Sequence, residues 1–193
     1  MRTLLLERAA HMLRRREPVT LRSLVAGAPV SSMAVYTHFG GMDGLWSALR
    51  QEGFGRLSVR MAAVSRTRDP VRDLAALLSA YVGNAMEHPD LFRVMFDATF
   101  ALEDLQAADD CLEQLVQAVR RGAEADRYTA GPDPLELATQ AWMLGHGLVS
   151  LVSTGPLPEP ALGYGPSMLT ALLAGAGDDA ERCRASVARG WRP

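Results

Sequence analysis

Ten consecutive residues, Val30 to Phe39, carry the densest chemistry in the chain: V-S-S-M-A-V-Y-T-H-F. At helical spacing Ala34, Val35 and Phe39 fall on one side and leave Ser32, Met33, Tyr36 and Thr37 on the other. A phenol and hydroxyls suit phosphate oxygens, and small side chains at a helix start let the backbone approach base edges. The same periodicity fits a three-helix subdomain that meets no nucleic acid, so on its own it leaves both readings open. A second candidate is His146, on an otherwise apolar stretch. Nothing near it in sequence supplies a carboxylate or thiol at ligand spacing, so it reads as one polar contact in an apolar pocket rather than a metal ligand or general base. Phe92, Met95, Phe96, Phe100, Trp142 and Met143 are the candidate walls of that pocket, with plain core packing as the alternative. No glycine-rich phosphate loop, Ser-His-Asp order or His-Glu-x-x-His pattern occurs. The expectation is a protein that is not an enzyme, with no cofactor, no metal and no catalytic residue.

These residues need helices to position them, and the spacing predicts an all-α chain. Apolar residues recur at helical intervals almost throughout, without convincing period-2 alternation. A first helix is expected over about 3–16, ended by Pro18, which disfavours helical backbone at Glu17. Thr20 is a good N-cap for a short second helix carrying Leu21, Leu24 and Val25 inward. Gly27, Ala28 and Pro29 break it, Ser31 caps the third helix, and Gly40 and Gly41 stop that one. Asp43 opens a fourth helix running to about residue 66. Later helices are expected over about 71–87, 102–125 with Leu105 facing inward, 133–153 and 167–174, with a short aromatic segment at 91–96. Asp178 with Glu181 three residues on resembles an acidic capping box ahead of a short Arg-rich helix or a frayed tail. Asp109-Asp110 and Asp178-Asp179 read most simply as solvated.

With 193 residues and 48% hydrophobic content, the chain can bury a core without disulfides. Two cysteines without metal or redox spacing, no long apolar run and no signal-peptide pattern point to the cytoplasm, without a membrane. The net charge of −2 hides an asymmetry: residues 1–72 hold 12 Arg against 5 acids, and residues 73–193 hold 8 Arg against 17 acids. A basic N-terminal module joined to an acidic body suggests a polyanion at one end only, although charge runs often just solvate a surface.

The stretch Val19 to Ala26, then Val30-Ser31, Ala34-Val35-Tyr36-Thr37-His38-Phe39 and Asp43-Gly44-Leu45, resembles the helix-turn-helix signature of TetR-family transcriptional regulators. Glu87 to Phe96, with Trp142 and His146-Gly147, is similar to the WHG type of TetR C-terminal domain. The resemblance implies that Thr20 caps the second helix and touches phosphate, that Ser31, Ser32 and Met33 begin the base-reading helix, and that Tyr36 and His38 contact the DNA backbone, with Thr37 a nearby contact. Two departures stand out. The family usually has Gly in the turn where this chain has Pro29, and often Lys where it has Met42.

The expected architecture is a helix-turn-helix domain over 1–45, a helical ligand-binding and dimerisation domain over 46–177, and a tail over 178–193. The apolar helix around residues 141–152 must be covered on every side. Ala138, Ala141 and Gly145, together with Leu169 and Leu172 of the short last helix, are the expected homodimer interface. The expected function is a ligand-responsive repressor that binds a pseudo-palindromic double-stranded DNA operator as a homodimer and takes a small apolar or amphipathic ligand. The alternative is a helical small-molecule-binding or protein-interaction module with weakened or lost DNA recognition.

Overall fold

A computed structural model describes residues 1–102, 104–153 and 155–192. The described residues form ten α-helices and one 3-10 helix, with no strand, as the periodicity predicts. They divide into two units, 1–56 with 88–107 and 57–87 with 108–193.

In the first unit, α1 (Arg2–Arg14) ends ahead of Arg16, whose φ is 56°. α2 (Leu21–Val25) starts on a reciprocal cap: the Thr20 hydroxyl accepts from the Ser23 amide at 3.1 Å, and Ser23 Oγ accepts from the Thr20 amide at 2.9 Å. Its other end is closed by Arg8, which donates from Nε to the Leu24 carbonyl at 2.8 Å and from Nη2 to the Ala26 carbonyl at 2.7 Å. A cation there opposes the partial negative charge of the helix C-terminus. The chain then turns at Gly27, φ 67°, and α3 (Ser32–Phe39) stops at Gly40, φ 74°, both in the region that glycine occupies without a Cβ penalty. Pro29 therefore does not supply the left-handed residue of this turn; Gly27 does, two positions earlier.

Leu5, Leu6, Ala9, Met12, Leu24, Val35, Leu45, Ala48 and Leu49 form the core of this unit. α4 (Met42–Ala62) begins here and continues as one helix past Arg56 into the second unit. α6 (Pro89–Met95) is fastened to α4: Arg50 Nε donates to the Met95 carbonyl at 2.8 Å and its Nη1 donates to that of Phe100. The rings of Phe54 and Phe96 meet edge-on at 5.4 Å, and Trp46 stacks on Phe100 at 5.7 Å.

The second unit is built around α5 (Pro70–Glu87), whose Val71, Leu74, Ala75, Leu78, Val82 and Ala85 are buried. α8 (Pro134–Ser153) and α10 (Ala180–Gly190) pack on α5, while α9 (Gly165–Gly175) and the 3-10 helix Glu159–Tyr164 pack on α8. α7 (Gln106–Glu124) starts only after Asp104, whose Oδ1 accepts from the Gln106 amide at 2.8 Å. That start leaves Leu105 outside the helix and 61% exposed, against the expectation that it faces inward.

Two further expectations are corrected in this unit. Asp179, not Asp178, caps α10, accepting from the Arg182 amide at 2.8 Å. Asp178 is buried instead, and Arg127 grips it with two bonds of 2.8 and 2.7 Å; Arg127 also reaches Asp69 at 3.1 Å, and Arg189 reaches Asp69 at 2.8 Å. The second correction concerns α8. Ala138, Ala141 and Leu169 have no exposed surface within the single chain, and Gly145 is buried against Leu78 and Tyr81. Cover for that face comes from α5, α9 and the 3-10 helix of the same chain, so these four residues offer no area to a partner; Leu172 is half-buried.

Candidate nucleic-acid interface

α3 has two faces of opposite character. Val35 is fully buried in the first unit's core, and burying such a side chain stabilises the helix's seat by about 1.5–3 kcal/mol. On the other side Ser31, Ser32, Met33, Tyr36, Thr37 and His38 are all exposed, Met33 at 67% and Tyr36 at 54%. Thr20 is exposed at the start of α2. The structure thus brings all seven of these residues to solvent on one helix pair.

Their hydroxyls are not equally available. Ser31 sits at the N-cap position of α3 without a side-chain capping bond, leaving its hydroxyl for another partner. The Thr37 hydroxyl donates to the Met33 carbonyl one turn back, at 3.0 Å. It is committed to its own helix, which separates Thr37 from Tyr36 as a donor to an external oxygen. The Thr20 oxygen is engaged in the cap of α2, where it holds the helix rather than reaching outward.

Two cationic residues belong beside this set although the pattern of α3 does not contain them. Arg22 is exposed on α2, and the Arg2 guanidinium lies over the Phe39 ring at 5.5 Å, next to His38 in sequence. Arg22 follows Thr20 by two positions and was visible as a basic residue. Arg2 is brought here only by the packing of α1, which short-range sequence cannot show.

The charge asymmetry between the sequence halves does not follow the structural division. The first unit holds 9 Arg against 8 acids, and the second holds 11 Arg against 14. Arg60, Arg66, Arg68 and Arg72 count toward the basic third of the sequence but lie in the second unit, and Asp90, Asp97 and Asp104 bring acid to the first.

The seven residues expected to line a pocket fall into both units. Phe92, Met95, Phe96 and Phe100 belong to the first, where Phe92 and Met95 are buried and Phe92 and Phe96 meet at 4.9 Å; they are core around α6 rather than open walls. Trp142, Met143 and His146 belong to the second. There the Tyr81 hydroxyl and His146 Nδ1 lie 2.7 Å apart, the Trp142 ring is 6.0 Å from His146, and Met143 is 57% exposed. Burial holds the His146 imidazole below its ordinary pKa and raises that of the Tyr81 phenol. Elsewhere in the same unit a cleft of about 220 Å3 opens between the end of α4, α5 and α7, and none of the seven lines it. No group of three or more possible metal ligands occurs among the described residues, and no described helix is long and apolar enough to cross a membrane.

A family model described as the tetracyclin repressor-like C-terminal domain matches residues 74–173, just over half of the chain. The chain belongs to the TetR family of transcriptional regulators. Among solved structures, this TetR-family chain is similar to a protein of unknown function from Rhodococcus sp. RHA1. They are 26% identical, with a TM-score of 0.76, over 90% of this chain and 94% of that one. PfmR, a TetR-family transcriptional regulator from Thermus thermophilus, is 18% identical with a TM-score of 0.69, over 88% and 97%. RolR in complex with the ligand resorcinol is 17% identical with a TM-score of 0.67, over 100% and 95%. These last two share the fold. No curated protein matches the chain by sequence.

Proposed function

We propose that this TetR-family chain is a ligand-responsive repressor that binds a pseudo-palindromic DNA operator as a homodimer. The observation that carries the reading is the two-faced α3, with Val35 in the core and Ser31, Ser32, Met33, Tyr36 and His38 exposed on a helix that a capped α2 and a glycine turn hold in place. Ser31, Ser32 and Met33 read base edges and Tyr36 and His38 face phosphates, while the hydroxyls of Thr20 and Thr37 hold the helices that present them. Neutral donors and backbone N–H groups at the start of α4 take the place of the lysine that Met42 replaces.

Dimerisation uses the apolar side chains that a single chain leaves exposed on α8 and α9. Met143, Leu151 and Met168 are 57%, 46% and 44% exposed, and Leu172 is half-buried one helical turn after Met168. Self-association of such surfaces produces a two-fold axis, and with it two recognition helices about one DNA turn apart. A small apolar or amphipathic ligand acts through the second unit; RolR, of the same fold, is described with resorcinol bound. By linkage, a ligand that weakens operator binding is itself bound more weakly when DNA is present, by the same factor. α4 is the covalent route for that coupling, a single helix from the residues after α3 to the cleft.

Selection of bound fragments from random DNA tests the reading. The expected product is an inverted repeat with half-sites about one helical turn apart, bound by a dimer in analytical ultracentrifugation. Recovery of no enriched sequence, or of a single unpaired site bound by a monomer, refutes it.

A further inference from the structure

We infer that the second unit binds a small carboxylate with an aliphatic body in the cleft between α4, α5 and α7, and that Arg66 receives the carboxylate. The inference rests on the ligand-responsive reading above and names the chemical class of the ligand. The cleft's volume, about 220 Å3, suits a small organic molecule. Its apolar wall consists of Met61, Val64, Leu77 and Ala118, with no aromatic ring to stack on a flat ligand. Flexible Met and branched aliphatic side chains accommodate a hydrocarbon chain.

The charged groups of the lining select the sign of the ligand. Asp73 is saturated: it accepts from the Thr67 amide at 2.8 Å, the Thr67 hydroxyl at 2.7 Å, Arg72 at 3.1 Å and Arg121 at 2.7 Å. Burial of Asp73 works against its charge, and these donors overcome that and hold its carboxyl below the usual range. Glu113 accepts from Gln117 at 2.5 Å and lies 3.4 Å from Arg120. Arg121 spends Nη2 on Asp73 and Nη1 on the Thr67 carbonyl, while its buried Nε donor has no acceptor among the described residues. Arg66 is the exception. It is exposed at the cleft and has neither an ion pair nor a hydrogen bond among the described residues. A cation entering the cleft meets carboxylates that are already paired, whereas an anion meets one uncompensated guanidinium whose fork matches a carboxylate.

Calorimetric titration of the full chain without DNA, using octanoate and its neutral counterpart octanamide, tests this. Octanoate is expected to bind at least about tenfold more tightly than octanamide, one charge-assisted contact's worth. Arg66→Gln should erase that preference while keeping the weaker octanamide binding. Ala62→Trp, at an exposed position of the lining, should block both without touching the core. Equal affinities in the wild type, a preference that survives Arg66→Gln, binding untouched by Ala62→Trp, or no octanoate binding at all would each overturn the inference. Operator affinity is measured separately with and without octanoate. If octanoate binds as described and operator affinity stays flat, the carboxylate site stands and the ligand-responsive reading fails.

Discussion

Tyr36→Phe isolates one oxygen atom at the proposed interface. Tyr36 is 54% exposed, its ring lies beside Gly41, and its hydroxyl makes no hydrogen bond among the described residues. Phe keeps the ring and the helix, so fold stability should move by no more than about 0.5 kcal/mol, as for other surface changes. What is lost is a donor to a phosphate oxygen. A hydrogen bond to a charged group contributes about 1.5–3 kcal/mol, and a hydrated groove edge belongs at the low end of that range. About 1.5 kcal/mol is roughly tenfold per half-site, and two distant half-sites add, giving about a hundredfold for the dimer. Thr37→Val is the internal control. Its hydroxyl already donates to the Met33 carbonyl, so an isosteric replacement should change operator affinity by less than about threefold. Fluorescence anisotropy with the selected operator measures both, and thermal unfolding confirms that each variant folds. If Tyr36→Phe binds as the wild type does while Thr37→Val loses tenfold, the assignment of the DNA-facing side of α3 is wrong.

Salt dependence should be shallow for a DNA binder. If only Arg2 and Arg22 of each protomer displace counterions, four per dimer, the slope of log K against log salt is about −3.6; a slope twice as steep would bring in Arg14 and Arg16, and a slope near zero would remove phosphate contact altogether. Arg8→Met uncaps α2 by removing donors to Leu24 and Ala26, at a cost of about 1.5–3 kcal/mol in chemical denaturation; an unchanged midpoint would show that water caps α2 as well. Arg127→Met leaves the buried Asp178 carboxylate with Arg182 alone, at 3.2 Å, with an expected loss of about 3 kcal/mol, the low end for a broken buried pair, whereas a loss under about 1 kcal/mol would mean that Arg182 compensates Asp178 by itself. His146 is held below its ordinary pKa by burial, so the unfolded chain takes up its proton first as pH falls below about 6.5. The wild type should therefore lose more stability between pH 7 and pH 5 than His146→Gln, and parallel losses in the two proteins would place His146 in water.

Local chemistry made the α2–α3 region legible. Thr20 and Ser23 cap each other three residues apart, and Gly40 stops α3 one turn after Tyr36, so the positions that determine these elements are near neighbours in sequence. The cover of α8 was not legible for the opposite reason. An all-round apolar helix shows that something must lie against each side, but α5, some sixty residues earlier, and a partner chain satisfy that demand equally in the sequence. The acidic pair Asp178-Asp179 shows how narrow the margin is: one residue caps α10 in water and its neighbour is buried on Arg127, fifty-one positions away. Grouping Phe92, Met95, Phe96 and Phe100 with Trp142, Met143 and His146 rested on shared aromatic and apolar character. Residue type does not tell which of two units a side chain belongs to or whether it is buried there: the first four fall in one unit, the last three in the other, and Met143 faces solvent. Arg66, in contrast, looked like part of a basic run, and its isolation follows only once Asp69 and Asp73 are seen to be engaged by Arg127, Arg189, Arg72 and Arg121.

Charge makes the same point about function. Were the basic N-terminal third a single surface, its excess of arginines would give strong, sequence-independent attraction to DNA. By structural unit that excess nearly vanishes, and α3 itself contains no Arg at all. Several of the first unit's arginines are also spent on the fold, Arg8 on the end of α2, Arg50 on α6, and Arg15 and Arg56 on Glu17 and Glu52. Non-specific affinity is set by uncompensated cations, and specific affinity adds hydrogen bonds that only one arrangement of bases and phosphates satisfies. A reading surface of hydroxyls, a phenol, an imidazole and a thioether lowers the first term more than the second. On the proposed reading, discrimination between operator and bulk DNA comes from the fit of Ser31, Ser32 and Met33 to base edges, with Tyr36 and His38 fixing the register on the phosphates. In the proposed dimer, modest shifts in the spacing of two such surfaces would then be enough to release the operator, because little unspecific attraction would remain to hold it on.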